Sequence, residues 1–239
     1  MINTIMFDLD GTLLPMDTEL FTKKYFKELS IKLKDYFTPE EVFKHMWSST
    51  KYMMKNMELD KTNRDSFFED FYKNVDHKAE VLNPIFDEFY ERDFNKIKDV
   101  SEKNDNMIKS VNILKEKGYD LVVATNPLFP ISAVLNRIDW AGLNGEDFIF
   151  ITNFEDMHFC KPNLDFYREI LHNIDKNPEN CLMVGNDVKE DMIVNEIGVS
   201  TYLIDDYIIG DIQEDKNIDY KGNYKDFYRF AKELPSIKD

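Results

Sequence analysis

The chain opens with an apolar run, Asn3 to Phe7 (NTIMF), that stops at Asp8-Leu9-Asp10-Gly11-Thr12. A short apolar run closed by turn chemistry predicts a buried strand followed by a tight turn. The period then changes. From Pro15 to Lys98 the aromatic residues recur at helical spacing, in the groups Phe21, Tyr25 and Phe26; Phe67, Phe68, Phe71 and Tyr72; and Phe86, Phe89 and Tyr90. That spacing puts them on one side of a helix, and no glycine interrupts the chain between Gly11 and Gly118. The stretch predicts a compact all-helical module whose aromatics are core.

Beyond Lys98, helices and strands alternate. MIKSVNILKEK is amphipathic and is closed by Gly118 in the C-cap place, and DLVVAT follows as a buried strand. The alternation continues with a strand FIFI at 148–151, a helix around NLDFYREILHNI at 163–174, a strand CLMVG at 181–185, a helix from about 188 and a strand STYLI at 200–204. From about Asp205 the tail reads as an acidic loop and a last helix, NYKDFYRFAKEL. Strands separated by helices predict an α/β fold with a parallel sheet covered on both faces.

Composition narrows the functional classes. At 239 residues, 43% hydrophobic and 32% charged, the chain carries enough apolar surface for a folded core plus a smaller domain. Its 46 acidic residues against 30 basic ones leave a formal charge of −16, which repels nucleic acid and anionic membranes, so neither is an expected partner. The same field opposes a small phosphorylated ligand at long range. A site for one needs local positive charge, from a metal ion and a well-placed lysine. No segment approaches the roughly 20 apolar residues that cross a bilayer, and MINTIMFDLDG lacks a basic-then-apolar leader, so a cytoplasmic location is expected. Cys160 and Cys181 belong to no CxxC pair and read as packing residues, with no disulfide expected in a reducing cytosol. His45, His77, His158 and His172 show no metal-binding spacing, so any metal is to be held by oxygen.

Four pieces of sequence fall at the carboxyl ends of predicted strands, where open α/β sheets place ligands. Asp8 and Asp10 are two residues apart, and Gly11 lets the backbone turn away at once; one carboxylate can attack while the other handles a proton. Thr125-Asn126 offers a hydroxyl and amides for phosphate oxygens. Lys161 supplies an ammonium. Gly185-Asn186-Asp187 ends CLMVG, with Asp191 four residues on and on the same face of the helix expected there.

These residues resemble the haloacid dehalogenase superfamily, whose four motifs are DxDGT, a strand-terminal Ser or Thr, a Lys and an acidic pair. All four occur here in the family's order, from Asp8 to Asp191. The resemblance implies a five-stranded Rossmann-like core, formed by 1–14 and 99–239, with 15–98 inserted as a helical cap of the family's first type. It also implies a phosphatase of small phosphorylated metabolites that works through an aspartyl-phosphate. In that reading Asp8 is the nucleophile and Asp10 the general acid and base. Mg²⁺ is held by the Asp8 and Asp187 carboxylates and the Asp10 carbonyl. Thr125, Asn126 and Lys161 bind the phosphoryl group, and Asp191 either lies behind the ligands or orients Lys161. An aspartate at position 10 favours phosphoryl transfer, since the dehalogenase and phosphonate hydrolase branches lack it.

Blander explanations compete at each position. Asp10-Gly11 suits a plain turn, Lys161 before Pro162 a solvated loop, and Asp187 and Asp191 a helix N-terminus. Asn186 replaces an aspartate often found before the metal ligand, which leaves open which acidic residue ligates. The module's aromatics and Trp47 read as packing rather than as ligand contacts. Ser48 to Lys51 matches SxxK without the partner motifs of serine hydrolases, so the match is coincidental. Two rival functions remain: a phosphomutase of the β-phosphoglucomutase kind, and a weakly active scaffold that binds metal and phosphate.

Overall fold

A computed structural model of the chain describes residues 1–212 and 217–238. Six parallel strands form one sheet in the order β3-β2-β1-β4-β5-β6. They are β1 (Thr4–Phe7), β2 (Asp120–Val123), β3 (Phe150–Ile151), β4 (Cys181–Gly185), β5 (Ser200–Ile204) and β6 (Tyr220–Gly222). The order reverses at β1, which pairs with β2 on one side and β4 on the other, Phe7 lying opposite both Val123 and Val184. This arrangement is Rossmann-like. The strands expected at the start, at DLVVAT, at CLMVG and at STYLI are all present. FIFI keeps only its last two residues, and β6 is an extra edge strand beyond the five that the resemblance implies.

Alternation along the central strands covers both faces. Ile5, Phe7, Leu121, Val123, Leu182 and Val184 face one layer, which includes α5 (Asp105–Glu116) and α8 (Tyr224–Glu233). Met6, Val122 and Met183 face the other, against Phe166, Tyr167 and Ile170 of α7 (Leu164–Asn173). Cys160 and Cys181 are buried in these layers and unpaired. Gly118, at φ +92°, adopts the left-handed conformation just beyond α5, where a residue with a Cβ would be strained.

Between β1 and α5 the chain is helical: α1 (Thr18–Lys32), α2 (Pro39–Met53), α3 (Asn63–Lys73), α4 (Ala79–Glu88), a π segment at Phe89–Asp93 and a 3-10 segment at Phe94–Val100. Local sequence starts these helices. Thr38 with Glu41 and Thr62 with Asp65 form capping boxes, and Asp17 caps α1. The outgoing and returning strands lie side by side, the amide of Glu102 donating to the carbonyl of Pro15 at 3.0 Å. The helices' aromatic core is continuous with one face of the sheet, through Phe94 stacked on Trp140 at 5.2 Å.

Two local expectations are corrected. No α-helix begins near 188; residues 188–191 form a turn, followed by 3-10 structure at Met192–Ile197. A further helix, α6 (Ile131–Trp140), stands between β2 and β3 where none is expected. Its signals were Pro130 before its first turn and Gly142 just beyond its end, at φ +80°. Of the acidic tail, residues 213–216 lie outside the described residues, as does Asp239.

Candidate active site

The site forms where strands β1, β2 and β4 end. Asp8 follows β1 directly and its amide donates to the carbonyl of Val184 at 2.9 Å, which ties the DxDGT turn to β4. The turn is closed by Leu14 donating to the Leu9 carbonyl at 2.8 Å and Gly11 donating to the Leu14 carbonyl at 2.8 Å. Gly11 sits at φ +83°, and a Cβ there would stand 2.4 Å from Nδ2 of Asn186. Asn186 uses both ends of its amide. Its Oδ1 accepts from the Thr12 hydroxyl at 3.0 Å and its Nδ2 donates to the Tyr207 carbonyl at 2.6 Å. The residue that departs from the family pattern thus staples the first motif to the fourth and to the loop above them.

Lys161 is the electrostatic centre. It is buried, and its Nζ lies 2.9 Å from Oδ1 of Asp8 and 2.5 Å from Oδ1 of Asp191. The solvated-loop reading of this lysine is therefore wrong. Burial alone would pull its pKa down, but the carboxylates of Asp191 and Asp8 outweigh that and hold the ammonium well above its ordinary range. Burial pushes the Asp191 carboxyl the other way, up to about 7, against the attraction of Lys161. Both groups are thus drawn toward holding their protons. We take the pair as ionised, because both oxygens of Asp191 already have donors: Lys161 on Oδ1 and the Asp187 amide on Oδ2 at 3.0 Å. Asp191 and Asp187 thus meet through a turn rather than on a helical face. Gly185 makes room for them, since a Cβ there would lie 2.2 Å from Oδ2 of Asp191.

Thr125 is buried at the end of β2, where its carbonyl accepts from the Thr152 hydroxyl at 2.6 Å. The side chain of Asn126 is already engaged: Oδ1 accepts from the Lys161 amide at 3.3 Å and Nδ2 donates to Oε2 of Glu190 at 3.1 Å. Burial raises the pKa of Glu190, partly offset by Lys161. Asn126 and Glu190 brace the segment that carries Lys161, a contact between distant loops that no local sequence signal announces.

Asp10 reaches toward α6. Its Oδ2 accepts a hydrogen bond from Nη1 of Arg137, a buried arginine whose guanidinium also lies over the Phe129 ring at 4.7 Å. Oδ1 of Asp10 and Nη2 of Arg137 are both buried without a hydrogen-bond partner. Burial raises the pKa of Asp10, with Arg137 opposing and Asp8 adding to the rise, so its proton is held more tightly than that of an ordinary aspartate. Arg137 is carried by α6, a helix not among the expected elements.

Among the described residues, no three His, Cys, Asp or Glu side chains converge as a metal cluster. An all-oxygen site does not require one. Asp8 and Asp187 follow neighbouring strands, and Asp10 adds a backbone carbonyl. The hydrogen bonds described engage Oδ1 of Asp8, through Lys161, and Oδ1 of Asp187, through the amides of Lys189 and Glu190 at 2.8 Å each. One oxygen of each carboxylate remains, a donor set suited to a hard divalent cation that keeps several waters.

Above Asp10 a cavity opens toward the helices between β1 and α5. Trp47, expected as buried packing, instead lines this cavity and is 44% exposed. Many of the module's aromatics are buried as expected, and several of them also form the cavity wall.

A family profile described as haloacid dehalogenase-like hydrolase matches residues 2–195. Pyrophosphatase PpaX of Bacillus cereus (strain Q1) is 24% identical over 188 residues, which span 77% of this chain and 74% of that protein. CbbY from Rhodobacter sphaeroides, solved in complex with xylulose-(1,5)bisphosphate, superposes with a TM-score of 0.62 at 19% identity, over 94% of this chain and 96% of its own. A HAD phosphatase from Thermococcus onnurineus superposes at 0.59 and 18% identity, over 98% and 99% of the two chains. At such identities these structures speak for the fold alone.

Proposed function

The chain belongs to the haloacid dehalogenase-like hydrolases, and from that premise we propose that it is a Mg²⁺-dependent phosphatase of small phosphorylated compounds that uses Asp8 as nucleophile. The observation that carries the reading is the buried bridge of Lys161 between Asp8 and Asp191. It sets a buried ammonium directly beside the attacking carboxylate of a protein that is otherwise strongly anionic.

In the first step an Asp8 carboxylate oxygen attacks phosphorus. The bond from phosphorus to the ester oxygen breaks, and that oxygen takes the proton of Asp10 as it leaves. In the second step water attacks the phosphorus of the aspartyl-phosphate and gives a proton to Asp10. Inorganic phosphate departs and Asp8 is restored. Lys161, the Thr125 hydroxyl and the backbone amides after Asp8 and Thr125 stabilise the charge that spreads over the phosphoryl oxygens. Enzymes of the family generally use a divalent metal; here Asp8, Asp187 and the Asp10 carbonyl would hold it, and when bound it neutralises charge between the carboxylates and the phosphate. Arg137 fixes the side chain of Asp10 through its hydrogen bond to Oδ2. Helices α1–α4 serve as the cap, excluding water and meeting the leaving group.

The test is hydrolysis of 4-nitrophenyl phosphate with Mg²⁺, with a chelator, and by Asp8→Asn. Turnover should require the metal and disappear with the substitution. Normal activity in Asp8→Asn would remove the central assignment. Stoichiometric release of phosphate from a sugar phosphate, without its isomerisation, counts against a mutase.

A further inference from the structure

The cavity above Asp10 has a volume of about 230 Å³. Ten of its sixteen lining residues are aromatic, and Asp10 is the only charged one. Its polar groups are otherwise three threonines, the Trp47 indole N–H and the hydroxyls of Tyr25 and Tyr90, the last two satisfying each other at 2.8 Å. The wall is built by Phe21, Phe67, Phe68 and Phe86, with Phe129 closing the side next to Arg137. At the mouth, Trp47 stacks on Phe43 at 6.2 Å, and both remain about half exposed. A chamber of this kind would gain by filling, since apolar surface left to water is unfavourable.

Resting on the phosphatase reading above, the geometry points to a substrate class: phosphate monoesters whose leaving group is uncharged and apolar, a single ring or a short branched chain. The ester oxygen meets Oδ1 of Asp10, the one buried side-chain donor or acceptor among the lining residues that has no partner. The carbon side of the ester then lies among the aromatic rings. The volume falls below the ~300–1,000 Å³ of drug-sized pockets, so a nucleoside or a large cofactor is excluded. Pyrophosphate, named for the 24% identical relative, is a poor fit here. Its leaving group is a phosphate anion, which would enter an apolar chamber without a lining lysine or arginine. A second phosphate of a sugar bisphosphate meets the same obstacle.

The experiment compares kcat/KM for benzyl phosphate, glycerol 3-phosphate, pyrophosphate and the small control acetyl phosphate, all with Mg²⁺. A single methylene in a hydrophobic pocket is worth roughly 10–200-fold, so benzyl phosphate should exceed glycerol 3-phosphate and pyrophosphate by about 100-fold or more. Trp47→Ala, at the exposed mouth, should lower the ratio of kcat/KM for benzyl phosphate to that for acetyl phosphate about tenfold. Thr50→Lys places a cation in the wall and should shift preference toward pyrophosphate. A binding measurement separates this inference from the hydrolysis reading. Benzylphosphonate should bind at least tenfold more tightly than methylphosphonate in a calorimetric titration, and Trp47→Ala should narrow that difference. Hydrolysis with pyrophosphate or glycerol 3-phosphate preferred would overturn the pocket while sparing the phosphatase. Tight benzylphosphonate binding with no ester consumed would do the reverse. Equal binding of the two phosphonates sinks the pocket whatever the activity.

Discussion

Replacing Lys161 with Met keeps the length and apolar stem of the side chain and deletes its charge. Asp8 and Asp191 are both buried, and Lys161 is the cation in ion-pair contact with each. Removing one partner of a buried pair costs about 3–5 kcal/mol, because the remaining charge is left in a poorly solvating interior. For a chain of this length each kcal/mol moves Tm by roughly 2–4 °C, so the expected fall is ~6–20 °C. The assay is thermal and urea denaturation in a chelator, so that no divalent cation replaces the lost charge. Lys73→Met, which removes an exposed i,i+4 pair with Glu69, should leave Tm where it was. Adding Asp191→Asn to Lys161→Met should recover part of the loss, with a coupling energy of about 0.5–3 kcal/mol in the double-mutant cycle. A Lys161→Met cost below about 1 kcal/mol, the range of surface pairs, would refute the argument that this bridge is a buried charge centre. Strict additivity in the cycle would do the same.

Other outcomes follow from particular contacts. Arg137→Met should lower kcat on 4-nitrophenyl phosphate by about 10–100-fold, a share of the ~10²–10⁴ that a positioned general acid supplies. KM should change little, since Arg137 contacts Asp10 rather than the residues proposed to hold the phosphate; a rise in KM with kcat intact would contradict its positioning role. Gly185→Ala forces a methyl against the Asp191 carboxylate and should destabilise the fold by about 1–3 kcal/mol in urea titration; an unchanged midpoint would mean the turn has slack. Burial pushes the thiols of Cys160 and Cys181 up to about 12 and about 11. Each is then protonated at pH 8, and thiolate appears only as pH rises toward those values. Native protein should therefore resist thiol reagents at pH 8 and react at both cysteines in denaturant; rapid labelling of the folded chain would disprove the burial.

Much of the architecture is written in local pattern. Period and turn chemistry suffice for β1, β2, β4 and β5, for α5, α7 and α8, and for the helical character of 15–98, because each depends on neighbours a few residues away. The DxDGT turn is equally local: Gly11 needs its positive φ wherever the chain is placed. Other features are decided only when distant segments meet. Asp191 reaches Lys161 from a turn that local charge pattern misreads as a helix. Asn126 braces Lys161, Asn186 ties Thr12 to Tyr207, and Arg137 finds Asp10 across 127 positions of sequence. The cavity is the extreme case. Along the chain its aromatics carry the same spacing as core residues, and whether a ring faces packed neighbours or an open chamber depends on how four helices are docked above one carboxylate. Hydrophobic periodicity states which side of a helix leaves water; it holds no information on what stands opposite, and that is settled by tertiary packing.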